Sequence, residues 1–558
     1  WSCSTVDQQL AEGLGAHLGV TARSGGDLKT MRLAQSVTAE YSNYFGATSS
    51  AQEALVLAAI NNTLTRCNGI YEKDFALHLN LIANTTAVIY YNPSTDPYSA
   101  ASSMSSWNNQ LQTTLTSVIG DANYDIGHLF GASGGGGNAG CIGCVCGTGK
   151  GSGITSPADG IPSGDNFDID YVAHEVGHQL GANHTFSMSN EGTGVNKEVG
   201  SGITIMGYAG ITSQDVAPHS IDIFHQASIA QVQTNLASKT CPITTSISAN
   251  NATPVVATVA SYTIPKSTPF ALTGSATDAN NDPLTYCWEQ NDNASSTQTG
   301  ASSVASATKA TGPNWITFRP TASPTRLFPQ LATILAGGTV TGPLTGGDAG
   351  ANIEALSSVA RTLNFRLTVR DNCPYSSTAP VKVGQTQFTD VVVTVNGTAG
   401  PFAVTAPNTA VSYAGGSTQT ITWSVNSTNV TPINCANVRI TMSTDGGQTF
   451  PIELSASTPN DGTEALVIPN TPTTTARIKI EAVGNIFFDI SNANFTITGA
   501  AACGDPTGLA VSAIGDNTAT LSWAAVTNAI SYAVDYKTST ATTWTSFSTA
   551  QTSTTATL

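Results

Sequence analysis

Three histidines and a glutamate stand close enough in this chain to share one ion and one proton: His174-Glu175-Val176-Gly177-His178-Gln179-Leu180-Gly181-Ala182-Asn183-His184. On a helix, residues four apart lie on one face, so the imidazoles of His174 and His178 can bind a single ion while Glu175 reaches a water on it. A hydrolytic zinc site needs a third protein ligand and one open position for water. Gly181 can break the helix so that His184 turns back onto the metal. An ordinary amphipathic helix can carry HExxH by coincidence, but the added glycine and third histidine are far more specific. The remaining histidines, at 17, 78, 128, 219 and 225, lack such spacing and read as surface or hydrogen-bonded structural residues.

A motif of this kind needs a rigid support, and the first 240 or so residues supply alternating helical and strand patterns. Apolar spacing predicts helices over 50–68, 102–119, 168–180 and 219–238, with extended structure over 75–91. Residues 131–153 are rich in Gly and Cys and read as a stapled loop. Beyond Thr244, short runs of Val, Ile, Thr and aromatic residues recur between Gly, Pro, Asn and Asp clusters, the pattern of β-sandwiches.

The fold class expected is therefore multidomain, an α/β catalytic domain over 1–245 followed by all-β sandwich modules at 250–397, 400–499 and 503–558. In the first module strands are expected near 270–277, 284–289, 363–370 and 388–395, with a long insertion over 290–360 that holds a short helix between 353 and 361. In the second, strands are expected over 420–425, 438–442 and 477–483. The last segment has about half of the roughly 100 residues of a complete sandwich, which predicts a trimmed or truncated chain.

Composition narrows the function. With 558 residues the chain has room for about three to five domains. Charged residues make up only 10%, against roughly 25% in an average soluble protein, so neutral polar groups carry solubility. A formal charge of −16 argues against nucleic acid as a partner. No apolar run approaches the roughly 18 to 20 residues of a membrane span. The start at Trp1, without an n-region or apolar h-region, fits removal of a signal peptide and a pro-segment and predicts a secreted, extracellular protein. Ten cysteines, six before residue 245 and four after it, are read as disulfides within each half. Cys287 and Cys373 are the natural pair in the first sandwich. The Cys141, Cys144, Cys146 cluster offers thiolate metal binding as the alternative to disulfides.

The extended histidine motif resembles that of the metzincin zinc endopeptidases, and within them the reprolysin-like secreted proteases of bacteria. The segment Tyr124-Asp125-Ile126-Gly127-His128-Leu129-Phe130 is similar to the run that leads into their upper-sheet edge strand, and Gly202-Ile203-Thr204-Ile205-Met206-Gly207-Tyr208-Ala209-Gly210 to their Met-turn. The resemblance implies one catalytic Zn²⁺ on His174, His178 and His184, with Glu175 as general base and Met206 as a hydrophobic floor. It also implies Tyr208 as an oxyanion stabiliser, as in astacin and serralysin relatives. Protein or peptide substrates would lie as an added strand on an exposed edge near 151–156, including Gly153 and Ile154, with Ala209, Gly210 and Ile211 forming the pocket wall. Small and apolar wall residues predict apolar side chains after the scissile bond. Two positions depart from the family. Thr185 stands where animal reprolysins carry Asp, so the carboxylate that ties that position to the Met-turn has to be replaced. The nearest match to their calcium-binding Asp-Asn-Ala-Gln-Leu is Trp107-Asn108-Asn109-Gln110-Leu111, which lacks the acid.

Further resemblances cover the modules. Residues 278–286 are similar to the turn and strand of PKD-like and cadherin-like domains, whose acids could hold a structural Ca²⁺ or simply form a polar turn. The second module is read as immunoglobulin-like, residues 443–450 match an Asp-box hairpin, and the last segment is similar to the first half of a fibronectin type III domain. The function implied is a secreted zinc-dependent endopeptidase acting on extracellular proteins. The alternative is an adhesin or matrix-binding protein whose modules contact matrix or glycan while the protease serves processing.

Overall fold

The computed structural model describes residues 2–6, 25–499, 504–527 and 529–558. His17 and Cys503 lie outside them. An α/β layer comes first, with a sheet ordered β2-β1-β3-β5-β4 from strands Asp27–Val37 (β1), Leu77–Leu81 (β2), Ile126–Phe130 (β3), Gly136–Asn138 (β4) and Gly153–Ser156 (β5). Strand Ile243–Ser246 (β6) returns antiparallel onto the first residues of β1. Every neighbouring pair in the ordered sheet is parallel except β4 with β5, which leaves β4 as an antiparallel edge.

The helices are Ala39–Tyr44 (α1), Glu53–Phe75 (α2), Trp107–Thr114 (α3), Asp165–Phe167 (α4), His174–Leu180 (α5) and Gln226–Ala237 (α6). The longest, α2, buries Val56, Ile60, Thr63, Leu64, Cys67, Ile70 and Tyr71 along one stripe, the spacing of a helix packed on a sheet. A π-helical turn, Asp168–Ala173, joins α4 to α5, so one helical run leads into the histidine motif. The last helix begins at Gln226 rather than near 219, with the His225 side chain accepting Ala227 N as its N-cap. The Cys146–Cys241 disulfide closes a separation of 95 residues, and Cys141–Cys144 closes the loop beside it. In the chain-entropy view the long closure stabilises by roughly 4 kcal/mol.

The sandwiches follow as all-β sheets. The first has the order Thr285–Gln290, Arg361–Arg370, Thr386–Asn396, Tyr262–Pro265, and the second centres on Asn437–Ser443 and Thr473–Ala482. Their alternating inward residues merge into one core, from Ile264 and Phe270 through Phe402 and Trp423 to Phe495. Two expectations are corrected here. The insertion carries its short helix at Leu331–Leu335, while the 353–361 stretch is extended, with Glu354 and Ala355 paired to Thr341 and Val340. Cys287 and Cys373 are both free, as are Cys3, Cys67 and Cys435. Register explains the failed pairing: Cys287 faces Thr368, so Cys373 lies five positions further along the neighbouring strand, beyond its end at Arg370. At about 3.4 Å per residue that is far past the reach of a disulfide.

Two polar turns are closed by their own acids. Asp278 Oδ1 accepts Asn280 N and Asp282 N, which is a closed Asx-type turn. In the Asp-box hairpin, Asp445 accepts Ser443 Oγ and the backbone N–H groups of Gln448 and Thr449.

The first sandwich is fused to the α/β layer. Arg370 Nε meets Asp74 Oδ1 at 2.5 Å, with both side chains 2% exposed. The other oxygen of Asp74 accepts Phe224 N at 2.7 Å, and Arg370 Nη2 donates to Phe224 O at 3.3 Å. A guanidinium from the sandwich thus reaches the core of the α/β layer, because the Phe224 ring lies 4.5 Å from that of Phe75, tilted against it, and packs on α5. Removing one member of such a pair orphans a buried charge. Arg370→Ala is expected to lower unfolding stability by about 3 to 5 kcal/mol in urea titrations. Arg439→Ala, which breaks an exposed pair with Glu453, is expected to cost under about 1 kcal/mol; equal losses would contradict the coupling.

Candidate metal centre and active site

The helical run 165–180 is pinned at its start. Arg66 of α2 holds Asp165 at 2.8 Å, and Thr63 Oγ1 donates to Asp168 at 2.7 Å. On its sheet side, Gln179 accepts from His128 Nδ1 at 2.8 Å and donates to Gly127 O at 3.0 Å. His128 is therefore a strut between helix and sheet, and burial pushes its pKa down to about 4, so it stays neutral. Close approach is set by glycine. A Cβ on Gly177 would lie 2.7 Å from Met206 Sδ and 2.9 Å from Phe224, so the Met-turn and Phe224 both press against the helix between its two histidines. Gly181 ends α5 with φ +124°, donating to Gly177 O and His178 O and sending the chain back toward His184.

His174, His178 and His184 are all fully buried and converge. Nε2 of His184 lies 3.3 Å from Nε2 of His174 and 3.0 Å from Nε2 of His178. Each Nδ1 is used elsewhere, facing Ile205 O at 2.6 Å, Ala182 O at 2.8 Å and Glu191 Oε2 at 3.0 Å for His174, His178 and His184 respectively. A carbonyl or carboxylate oxygen can only accept, so each Nδ1 carries a proton and each Nε2 is turned to the shared centre, where a neutral ring offers its lone pair. Burial pushes the His174 pKa down to about 3 and that of His178 lower still, which leaves both rings neutral. Three imidazole Nε2 atoms at this separation are the donor set that a cation between them would satisfy. The residues present therefore fit a metal ion, and the donors match zinc.

Two carboxylates support this arrangement that sequence reasoning missed. Glu191 holds His184. Glu198 replaces the family carboxylate that Thr185 lacks: its Oε2 accepts Thr185 Oγ1 at 2.5 Å and Thr204 Oγ1 at 2.6 Å, while Oε1 accepts Ile203 N and Thr204 N. The acid has moved from the position after the third histidine to a strap 13 residues on, which adjacency in sequence could not reveal.

Glu175 is fully buried, with Oε2 accepting Thr5 Oγ1 at 3.0 Å and Oε1 making no hydrogen bond. Burial raises its pKa to about 7. It packs against β4 so closely that a Cβ on Gly137 would fall 2.3 Å from its Oε1. Tyr208 stacks on Phe186 at 4.2 Å and sits 4.6 Å from the His184 ring, and its hydroxyl donates to Cys3 O at 3.4 Å. Met206 is wholly buried beneath the triad. Ala209, Gly210 and Ile211 line a cavity of about 190 Å³ beside Tyr208, which Asp170 and His219 also enter as a 2.7 Å pair.

The expected edge strand is corrected. Gly153 and Ile154 lie in β5, which is buried between β3 and β4, and Gly153 is covered by Gln179. The outer strand at this end of the sheet is β4, a three-residue strand inside the stretch read as a stapled loop, too short and too glycine-rich to show alternation. Residues 2–5 lie along it in parallel: Ser2 N donates to Gly135 O, Gly137 N to Ser2 O and Ser4 N to Gly137 O. This places Cys3 Sγ 3.6 Å from His178 Nε2. Among the described residues, Cys3 with the three histidines is the one cluster of metal-ligand side chains, all within 4.8 Å of one another.

Comparison with known proteins agrees with this geometry over the first part of the chain. A comparison with curated proteins finds no match. Among solved structures, likeness is low: chicken CNTN1 FN1-FN3 domains at 12% identity over 55% of this chain and 86% of that one, TM-score 0.14. The Ig1-2 module of Drosophila receptor protein tyrosine phosphatase DLAR matches at 9% over 44% and 99%, TM-score 0.23. Residues 28–236 match the family model for the metallo-peptidase family M12B, reprolysin-like. The chain thus carries a reprolysin-like M12B metallopeptidase domain, followed by all-β modules.

Proposed function

We propose that the chain is a secreted zinc-dependent endopeptidase that cleaves extracellular proteins, held here in a latent arrangement by its own N-terminal residues. The observation that carries this reading is the convergence of three imidazole Nε2 atoms beside a buried, half-unpaired glutamate. His174, His178 and His184 would hold the zinc, which when bound supplies Lewis-acid activation of water and of the scissile carbonyl. Glu175 takes the proton of the attacking water at its free Oε1 and returns it to the leaving amine. A carboxyl with a raised pKa suits both halves of that transfer. Tyr208 reaches the same space and donates its hydroxyl to oxyanion charge.

Substrate would bind by strand addition on β4, whose Gly135 O, Gly137 N and Gly137 O already pair with an extended segment. That segment fills the cleft, and its Thr5 engages the base, so cleavage requires its displacement. Cys3 is the group placed to fill the open zinc position. Two disulfides support an oxidising, extracellular setting, and no helix among the described residues is long and apolar enough to cross a membrane. The pocket after the scissile bond is mixed rather than wholly apolar, because Asp170 and His219 share it with Ile211 and Pro218.

Three outcomes follow. Glu175→Ala is expected to bind zinc and keep the fold while losing roughly a hundred- to ten-thousand-fold in casein cleavage; unchanged cleavage would refute the role of Glu175. Cys3→Ala in the full chain is expected to raise peptide cleavage at least tenfold, and no rise would contradict latency. Treatment of that variant with 1,10-phenanthroline is expected to abolish cleavage and added Zn²⁺ to restore it; chelator-resistant activity would exclude the metal.

A further inference from the structure

The segment that follows the Met-turn does not stand by itself. Residues 207–211 and 218–220, the two limbs of that segment, form one side of the 190 Å³ cavity beside Tyr208. Here the support comes from the insertion of the first β module. Asp215 N donates to Asp348 Oδ2 at 2.9 Å, and Asp348 N returns to Asp215 O at 2.7 Å. Leu344 N donates to Val216 O at 3.0 Å. Three positions on the wall, Thr212, Asp215 and Val216, are thereby tied together, because Asp215 Oδ1 in turn accepts Thr212 N and Thr212 Oγ1.

The backbones meet without side chains between them. A Cβ on Gly347 would lie 2.7 Å from both Asp215 O and Val216 O, and one on Gly346 would lie 3.1 Å from Pro218 Cγ. Pro218 O is itself pressed onto Gly210 on the opposite limb of the wall, where a Cβ would come within 2.2 Å. Contact therefore passes from the module loop through Pro218 to Gly210, at the rim of the cavity. Beneath it the two units share one small core, in which Val199, Ile203, Val216, Ala217, Ile221 and Ile223 pack against module residues such as Ile316 and Ile353.

We propose that the module loop 341–350 sets the position of the wall 209–220 and so determines which side chain the pocket accepts after the scissile bond. This rests on the endopeptidase reading above. Asp348 and Gly347 act as positioning residues, since neither lines the cavity. The same sandwich that places Arg370 under the catalytic core thus also shapes the pocket from outside.

The test uses the full chain carrying Cys3→Ala to open the cleft, with Asp348→Ala and Gly347→Ala added separately. Hydrogen–deuterium exchange is expected to speed up at least several-fold within 209–220 in both variants, while α5 and β3 keep their protection. Cleavage of peptides differing only in the residue after the scissile bond is expected to change rank, with kcat/KM ratios between large and small side chains shifting about tenfold. The peptide with Gly at that position should stay within about twofold. Unchanged exchange in 209–220, or an equal loss for every peptide, would overturn the proposal. Should the Cys3→Ala chain cleave nothing, the endopeptidase reading and the selectivity claim fall together, and exchange alone would still decide whether the loop holds the wall.

Discussion

Three imidazole Nε2 atoms pointing at one another are the constraint around which the first half of this protein is organised. Each ring has to be held from behind, and the chain spends a carbonyl of the Met-turn, a carbonyl of the turn after α5 and the Glu191 carboxylate on doing so. Holding the rings then dictates the surroundings. Gly177 must lack a side chain so that Met206 and Phe224 can press against the helix, and Gly181 must take a positive φ so that His184 returns. The Met-turn that supplies one of the carbonyls is itself tied by Glu198 to Thr185, one residue beyond the third histidine. Ligand, floor and strap are one polar network built on a hydrophobic helix packing.

That network does not end at the last residue of the peptidase domain. Phe224, which presses on α5, donates its backbone N–H to Asp74 and accepts from Arg370 at its carbonyl, and Arg370 belongs to the first sandwich. Glu289 of the same sandwich accepts Gln226 N at the start of α6, and Thr368 Oγ1 secures its other oxygen. Burying such groups costs several kcal/mol each unless they are paired, so these contacts exist only where both units are in place. The two halves of the chain are accordingly one mechanical body around the site.

Much of the centre was legible in the sequence because its information is local. The spacing of His174, Glu175 and His178 encodes a helix face, and Gly181 encodes a break, so both could be read without a fold. The strands at Arg361–Arg370 and Thr473–Ala482 were also legible, since long alternating runs speak for themselves. What stayed hidden is non-local or lacks a pattern. The edge β4 is three residues long and mostly glycine, so it carried no alternation, and the neighbouring Gly153–Ser156 was read as the edge in its place. Glu198 and Glu191 sit in polar loops where acids are commonplace, and only folding brings them to Thr185 and His184. Cys3 was read as half of a disulfide by counting, because parity says nothing about a thiol that lies against three histidines. Cys287 and Cys373 failed for the complementary reason: sharing a sandwich does not place two residues in register.

The central claim is that His174, His178 and His184 hold one zinc ion whose remaining position faces Cys3. X-ray absorption at the zinc edge of the full chain tests it most directly. The account predicts one zinc per chain with three nitrogen neighbours at about 2.0 to 2.1 Å and one sulfur at about 2.3 Å. In Cys3→Ala the sulfur shell should be replaced by oxygen at about 2.0 to 2.2 Å with the nitrogens unchanged. A spectrum dominated by sulfur, or a chain that takes up no zinc with all three histidines intact, would contradict it.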